Sequence, residues 1–97
     1  MDAYKINFKL SVEKDLRSIP KTELRKILER IESLAANPRP RGCEKLTGQN
    51  KYRVRQGNYR ILYTVDDKKN IIRVIHVGHR KDIYRISEEK AAYMAVD

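Results

Sequence analysis

The chain has a single cysteine, no tryptophan, four glycines and three prolines among 97 residues. Cys43 has no second cysteine to pair with, so no intrachain disulfide can form, as suits a reducing compartment. Two histidines and one cysteine do not provide zinc-type spacing, and neither a metal nor a cofactor is expected. No apolar run is long enough to span a bilayer. The N-terminus lacks the apolar core of a signal peptide, so residence in the cytoplasm, away from the membrane, is expected. There is no repeat, low-complexity stretch or linker, and the length suits one domain, residues 1–97, with one modest core.

What is plentiful is positive charge. Lysine and arginine total 22 against 13 aspartates and glutamates, a formal net charge of +9. A small, strongly basic domain meets nucleic acid, an acidic protein or a membrane surface. The plainer reading is solubility alone.

The apolar positions then order the chain. Tyr4-Lys5-Ile6-Asn7-Phe8 alternates as a strand does. Ser11 is a candidate N-cap, with Val12, Leu16 and Ile19 at near-helical spacing behind it. Pro20 ends that helix and opens a second. From Lys21 to Asn37, Leu24, Ile27, Leu28, Ile31, Leu34 and Ala35 form a stripe of period 3.6, closed by Asn37-Pro38. A basic loop, Pro38 to Gly42, follows, and Leu46 is expected under the helices. Near the end, Ser87 with Glu88 and Glu89 predicts the start of a short C-terminal helix.

Between these lies the most informative stretch. Tyr52-Arg53-Val54-Arg55, Tyr59 to Val65 and Ile71 to Val77 are β-branched and aromatic runs separated by Gly, Asn and Asp signals. They predict three consecutive antiparallel strands. The fold expected is therefore α+β: an N-terminal strand, a two-helix hairpin packed on one face of a small, mainly antiparallel sheet, and a short C-terminal helix. Alternation puts Tyr52 and Val54 on one face and Arg53 and Arg55 on the other. Arg60 lies opposite Tyr59, Ile61, Tyr63 and Val65. A three-residue loop over 56–58 would put Arg60 out of phase with Arg53 and Arg55. A four-residue loop or a bulge at Gly57 is expected instead, because burying unpaired arginines is costly.

These residues resemble a family. Tyr52-Arg53-Val54-Arg55, Gly57-Asn58-Tyr59-Arg60-Ile61-Leu62-Tyr63 and Val77-Gly78-His79-Arg80-Lys81-Asp82-Ile83-Tyr84 are similar to the RelE/ParE superfamily of type II toxin–antitoxin toxins. The resemblance covers nearly the whole chain. Likeness to the RelE branch implies an endoribonuclease that enters the ribosomal A site, cuts mRNA and inhibits translation. It also implies an acidic antitoxin that binds the toxin in a hetero-oligomer. The ParE branch shares the fold and poisons DNA gyrase. The family's functional positions correspond to Arg53, Arg55, Arg60, Arg80 and Tyr84, while His79 stands where the family varies. Arg53 and Arg55 depart from the lysines of the best-known RelE-type toxins. Arginine stays protonated and is a poor proton acceptor, which leaves the general base unassigned.

The chemistry is consistent with metal-free RNA cleavage. The 2′-hydroxyl attacks the adjacent phosphorus, so the protein must position the chain, neutralise developing charge and move protons. Arg53, Arg55, Arg60 and Arg80 suit phosphate oxygens. Histidine exchanges protons near neutral pH, which makes His79 a candidate, and Tyr84 suits stacking on a base or help with proton transfer, although a tyrosine's ordinary pKa is unfavourable for a base. Plainer readings stand beside these. The arginines can be solvated strand residues, His79 a loop-end polar residue, Tyr84 a cover for the sheet edge, and His76 a hydrogen-bonded core histidine. Gyrase inhibition by binding and simple double-stranded-RNA binding are the alternative functions.

Overall fold

A computed structural model of the protein describes residues 3–46 and 50–79. The order is β1 (Lys5–Phe8), α1 (Leu10–Arg17), α2 (Lys21–Leu34), β2 (Glu44–Lys45), β3 (Lys51–Gln56), β4 (Tyr59–Asp66) and β5 (Ile71–His79). The strands form one sheet in the order β1-β5-β4-β3-β2. β1 runs parallel to β5, and the remaining pairs are antiparallel. The expected α+β architecture is therefore present, with the two-residue β2 as an addition. The helix expected after Ser87 lies outside the described residues, as do Arg80 and Tyr84.

The second helix begins at Lys21 behind Pro20, as the sequence suggests, but the first does not begin at its candidate cap. Ser11 sits inside the first turn of α1, and the N-cap is Lys9, in extended conformation with no side-chain cap. The sheet supplies the missing restraint: Lys9 N–H donates to the Val74 carbonyl at 2.9 Å, and Val12 N–H donates back to the Lys9 carbonyl at 2.9 Å. The second helix stops at Leu34, short of Asn37. Its next carbonyl, from Ala35, accepts the Tyr4 N–H at 2.9 Å. That bond ties the end of α2 to the entrance of β1.

The core lies between the helices and one face of the sheet. Ile27, Ile31 and Leu34 of α2 and Val12 of α1 meet Tyr52, Val54, Ile61, Tyr63, Val65, Ile72, Val74 and Val77. Each such side chain contributes about 1.5–3 kcal/mol on full burial. Leu28 falls at the margin of the stripe and is 37% exposed, beside Phe8 and Leu10. Tyr63 completes its buried environment by donating its hydroxyl to the Pro38 carbonyl at 2.7 Å, and it stacks on Tyr52 with ring centroids 5.8 Å apart. Burial pushes the Tyr63 hydroxyl pKa up, with Cys43 adding to the effect. Arg39, from the basic loop, donates to the Tyr52 hydroxyl at 2.9 Å and to Asp67 at 2.7 Å. This arginine fastens the loop to the sheet.

Two irregularities fix the faces. The β3–β4 turn is neither the four-residue loop nor the bulge expected. Gln56 pairs with Tyr59 and Arg55 with Arg60, leaving only Gly57 and Asn58 between the strands. Gly57 has φ 60°, as the first central residue of a type II′ turn requires. The common face for the arginines is reached by a shorter turn than expected. The second irregularity is a shift between Leu62 and Tyr63. Leu62 pairs with His76, whereas Tyr63 pairs with Val74, so Ile75 is an extra residue in β5. Ile72 and Val74 face the helices before this bulge, and Val77 does so after it. His76 is turned to the other face.

Gly57→Ala tests the turn. A Cβ there would meet only Glu23 Oε2, at an ordinary 3.6 Å, so the loss comes from the left-handed backbone. It should cost about 1–2 kcal/mol in urea unfolding. Asp67→Asn tests the loop clasp. Arg39 first, and then the Tyr4 hydroxyl, hold the Asp67 carboxyl below its ordinary value of 3.8. A pKa lowered by folding gives stability that is present above the ordinary value and is lost as pH falls through the folded one. Thermal melts should therefore show a shallower acid-side decline for Asp67→Asn than for the native protein.

Candidate nucleic-acid interface

The face of the sheet away from the helices is a grid set by the register. One row reads Arg53, Leu62 and His76 across β3, β4 and β5. The next reads Arg55, Arg60 and Gly78. On the far side of the first row stand Lys51, Thr64 and Arg73. Directly opposed side chains on an antiparallel pair have Cβ atoms about 4.5–5.5 Å apart, and like charges there are destabilising. Arg55 and Arg60 nevertheless face each other. Gly78 adds no side chain beside them.

The three arginines are not equally exposed. Arg55 is exposed, Arg53 has 18% of its side-chain surface accessible, and Arg60 is 9% exposed. All three stand on the face away from the helices, as expected, but the plainer reading of solvated strand residues fits Arg55 alone. Arg60 Nη1 donates to the Tyr59 carbonyl at 3.4 Å. Arg53 Nη2 donates to Glu44 Oε2 at 2.5 Å. The Glu44 carboxyl lies below its ordinary value, mainly through the bond from Arg53, with the charges of Arg55 and Arg60 adding to the shift. Three cations therefore act on one point, and Glu44 is the anion currently among them. β2, which carries Glu44 opposite Arg53, has no sequence signal beyond its position before the hairpin.

The two histidines exchange the places expected of them. His79 pairs with Tyr59 and meets its ring edge-on, with centroids 5.6 Å apart and planes at 80°. Tyr59 shares its face with Ile61 and Tyr63, so His79 lies on the helix side and is not brought together with Arg53, Arg55 and Arg60. His76 is the histidine on the arginine face. It is hydrogen-bonded, as expected, but it is not in the helix-side core. Its Nδ1 lies 2.8 Å from Asp15 Oδ2 of α1, and that oxygen also accepts the Val77 N–H at 3.2 Å. No group of histidines, cysteines and carboxylates suited to a metal ion occurs among the described residues. None of the described helices is long and apolar enough to cross a membrane. On the opposite side of the molecule, Phe8, Leu10, Leu16 and Leu28 line a groove of about 350 Å³ with Lys9 and Glu13 at its margin; Leu10 is 90% exposed there.

Comparison with known proteins agrees with this architecture. Residues 6–84 match the family model described as the ParE toxin of type II toxin–antitoxin systems. The chain is 40% identical over 80 residues to the candidate toxin RelE1 of Methanocaldococcus jannaschii, covering 76% of this chain and 87% of that protein. It is 31% identical over 86 residues to the toxin RelG of Mycobacterium tuberculosis, covering 84% of this chain and 97% of that protein. Among solved structures, the archaeal RelE–RelB complex from Pyrococcus horikoshii aligns with a TM-score of 0.73 at 33% identity, over 80% of this chain and 96% of that one. With the family model, the sequence relatives and the fold in agreement, the chain belongs to the RelE/ParE superfamily and is a toxin of a type II toxin–antitoxin system.

Proposed function

We propose that this toxin is a metal-independent endoribonuclease of the RelE type, which cuts mRNA in the ribosomal A site and so inhibits translation. The observation that carries the reading is the Arg55–Arg60 opposition, with Arg53 one row away. A sheet selected only for stability gains nothing from opposed cations. A phosphate backbone threaded between them turns the repulsion into several charge-assisted, bidentate contacts. The developing charge on phosphorus then meets donors already fixed by the sheet. Arg80 follows directly on β5 and is assigned to the same phosphate. Tyr84 is assigned to stacking on a base. His79 is the weaker proton-transfer candidate of the two histidines, because its register turns it toward Tyr59.

The partner reading rests on charge and on the solved relatives. The RelE of Pyrococcus horikoshii was solved with RelB, and a net charge of +9 suits an acidic antitoxin steered in rapidly at low salt. The alternative, gyrase inhibition by binding, draws on the ParE name of the matched family model. It gives no role to a row of opposed arginines suited to phosphate.

Two measurements test the reading. After induction without an antitoxin, labelled methionine incorporation should fall before labelled thymidine incorporation; the reverse order would favour gyrase. In single-turnover cleavage on programmed ribosomes, Arg60→Ala and Arg80→Ala should each lose about 10²–10³-fold in rate. Arg55→Ala should lose less, because Arg53 stands beside it. Circular dichroism would confirm folding, and wild-type rates in folded variants would remove the enzymatic assignment.

A further inference from the structure

We propose that His76 is the general base of the cleavage reaction, accepting the 2′-hydroxyl proton at Nε2, with Asp15 as its positioning residue. The inference rests on the ribonuclease reading above. It fills the role that arginines at positions 53 and 55 cannot take, since a guanidinium remains protonated.

The geometry defines the tautomer. A carboxylate only accepts hydrogen bonds, so the 2.8 Å contact to Asp15 Oδ2 puts the proton on Nδ1. The lone pair of the neutral ring is then on Nε2. The second bond to the same oxygen, from the Val77 N–H at 3.2 Å, fixes the carboxylate as well as the ring. A carboxylate that orients an imidazole and stabilises its charged form is the arrangement that makes histidine a base in hydrolases. Nε2 is buried and has no hydrogen-bond partner among the described residues. Buried polar atoms in native proteins are nearly always bonded, and the exceptions call for an explanation. A proton-accepting function supplies one. Because Nε2 is buried in the free protein, substrate binding must uncover it.

The charges around the ring suit the step. His76 shares its row with Arg53 of β3 and adjoins the row of Arg60 on β4. Asp15 faces it from α1. Arg73, on β5 itself, pairs with Thr64 nearer the start of the strand, and β1 ends opposite Val74, short of His76. The scissile phosphate can therefore rest on the arginines while the adjacent 2′-oxygen meets Nε2. The proton passes from that oxygen to Nε2 as the O2′–P bond forms and the P–O5′ bond breaks. The 5′-oxygen takes a proton from water, and the imidazolium returns its own to solvent. The products are a 2′,3′-cyclic phosphate and a 5′-hydroxyl, with no net consumption of acid, base or water.

The test is the pH dependence of single-turnover cleavage on programmed ribosomes for the wild type, His76→Gln and Asp15→Asn. The wild-type rate should rise on the acid side with a slope of about one in log rate against pH and then level off. His76→Gln should lose about 10²–10⁴-fold and the acid limb with it. Its affinity for a message carrying a 2′-deoxy sugar at the cut position should stay unchanged. His76→Gly should regain activity in added imidazole, which a purely structural role would not produce. A folded His76→Gln variant with the wild-type rate and limb overturns the assignment and leaves the ribonuclease reading intact. So does a wild-type enzyme whose rate shows no acid limb, an outcome that decides the matter even if the variants fail to fold. A wild-type protein that cuts no RNA removes the ribonuclease reading and this proposal together.

Discussion

Strand register is the constraint on which the face of this molecule depends. Side chains alternate with a period of two, so one residue more or less in a turn exchanges every position between core and surface. Gly57 and Asn58 set the count on one side of β4, and the extra residue Ile75 sets it on the other. With the first, Arg55 meets Arg60 and Val54 meets Ile61 in the core. With the second, β5 keeps Ile72, Val74 and Val77 inward although their spacing is uneven. Both devices trade regular pairing for a choice of face.

The resulting charge arrangement has an energetic cost that the rest of the fold must offset. Arg53 and Arg60 are largely removed from water, where an unsatisfied guanidinium would be unfavourable. Glu44 relieves part of this by bonding Arg53. A phosphate chain would bring more negative charge than one carboxylate and could displace it, which links the resting ion pair to the site it occupies. The aromatic and aliphatic core beneath is unexceptional, and that is its use: Tyr52, Val54, Ile61 and Tyr63 hold the backbone from which the arginines extend.

Much of this was legible in the sequence because it follows from periodicity. The stripe from Leu24 to Leu34 and the alternation over Tyr52–Val54 and Tyr59–Val65 specify the helix, the strands and the face that carries Arg53, Arg55 and Arg60. What alternation cannot reveal is a bulge. Carried without interruption from Ile72 through Val74, it assigns His76 to the core and turns His79 away from it. The extra residue Ile75 reverses both. The start of α1 escaped for a related reason: Lys9 is fixed by a bond to Val74, distant in sequence, while Ser11 only has the composition of a cap. Asp15 was equally hidden, because its partner lies 62 residues away along the chain.

The proposed binding of RNA rests on one sheet face, fixed by register. Side-chain NMR of arginine Nε–Hε groups, assigned through single Arg→Lys variants, tests it directly during titration with a short oligoribonucleotide. Arg53, Arg55 and Arg60 should shift together and saturably, with reversal at high salt, while Arg17 and Arg25 on the helices remain where they were. Shifts concentrated on Arg17 and Arg25, with the sheet arginines unmoved, would contradict it.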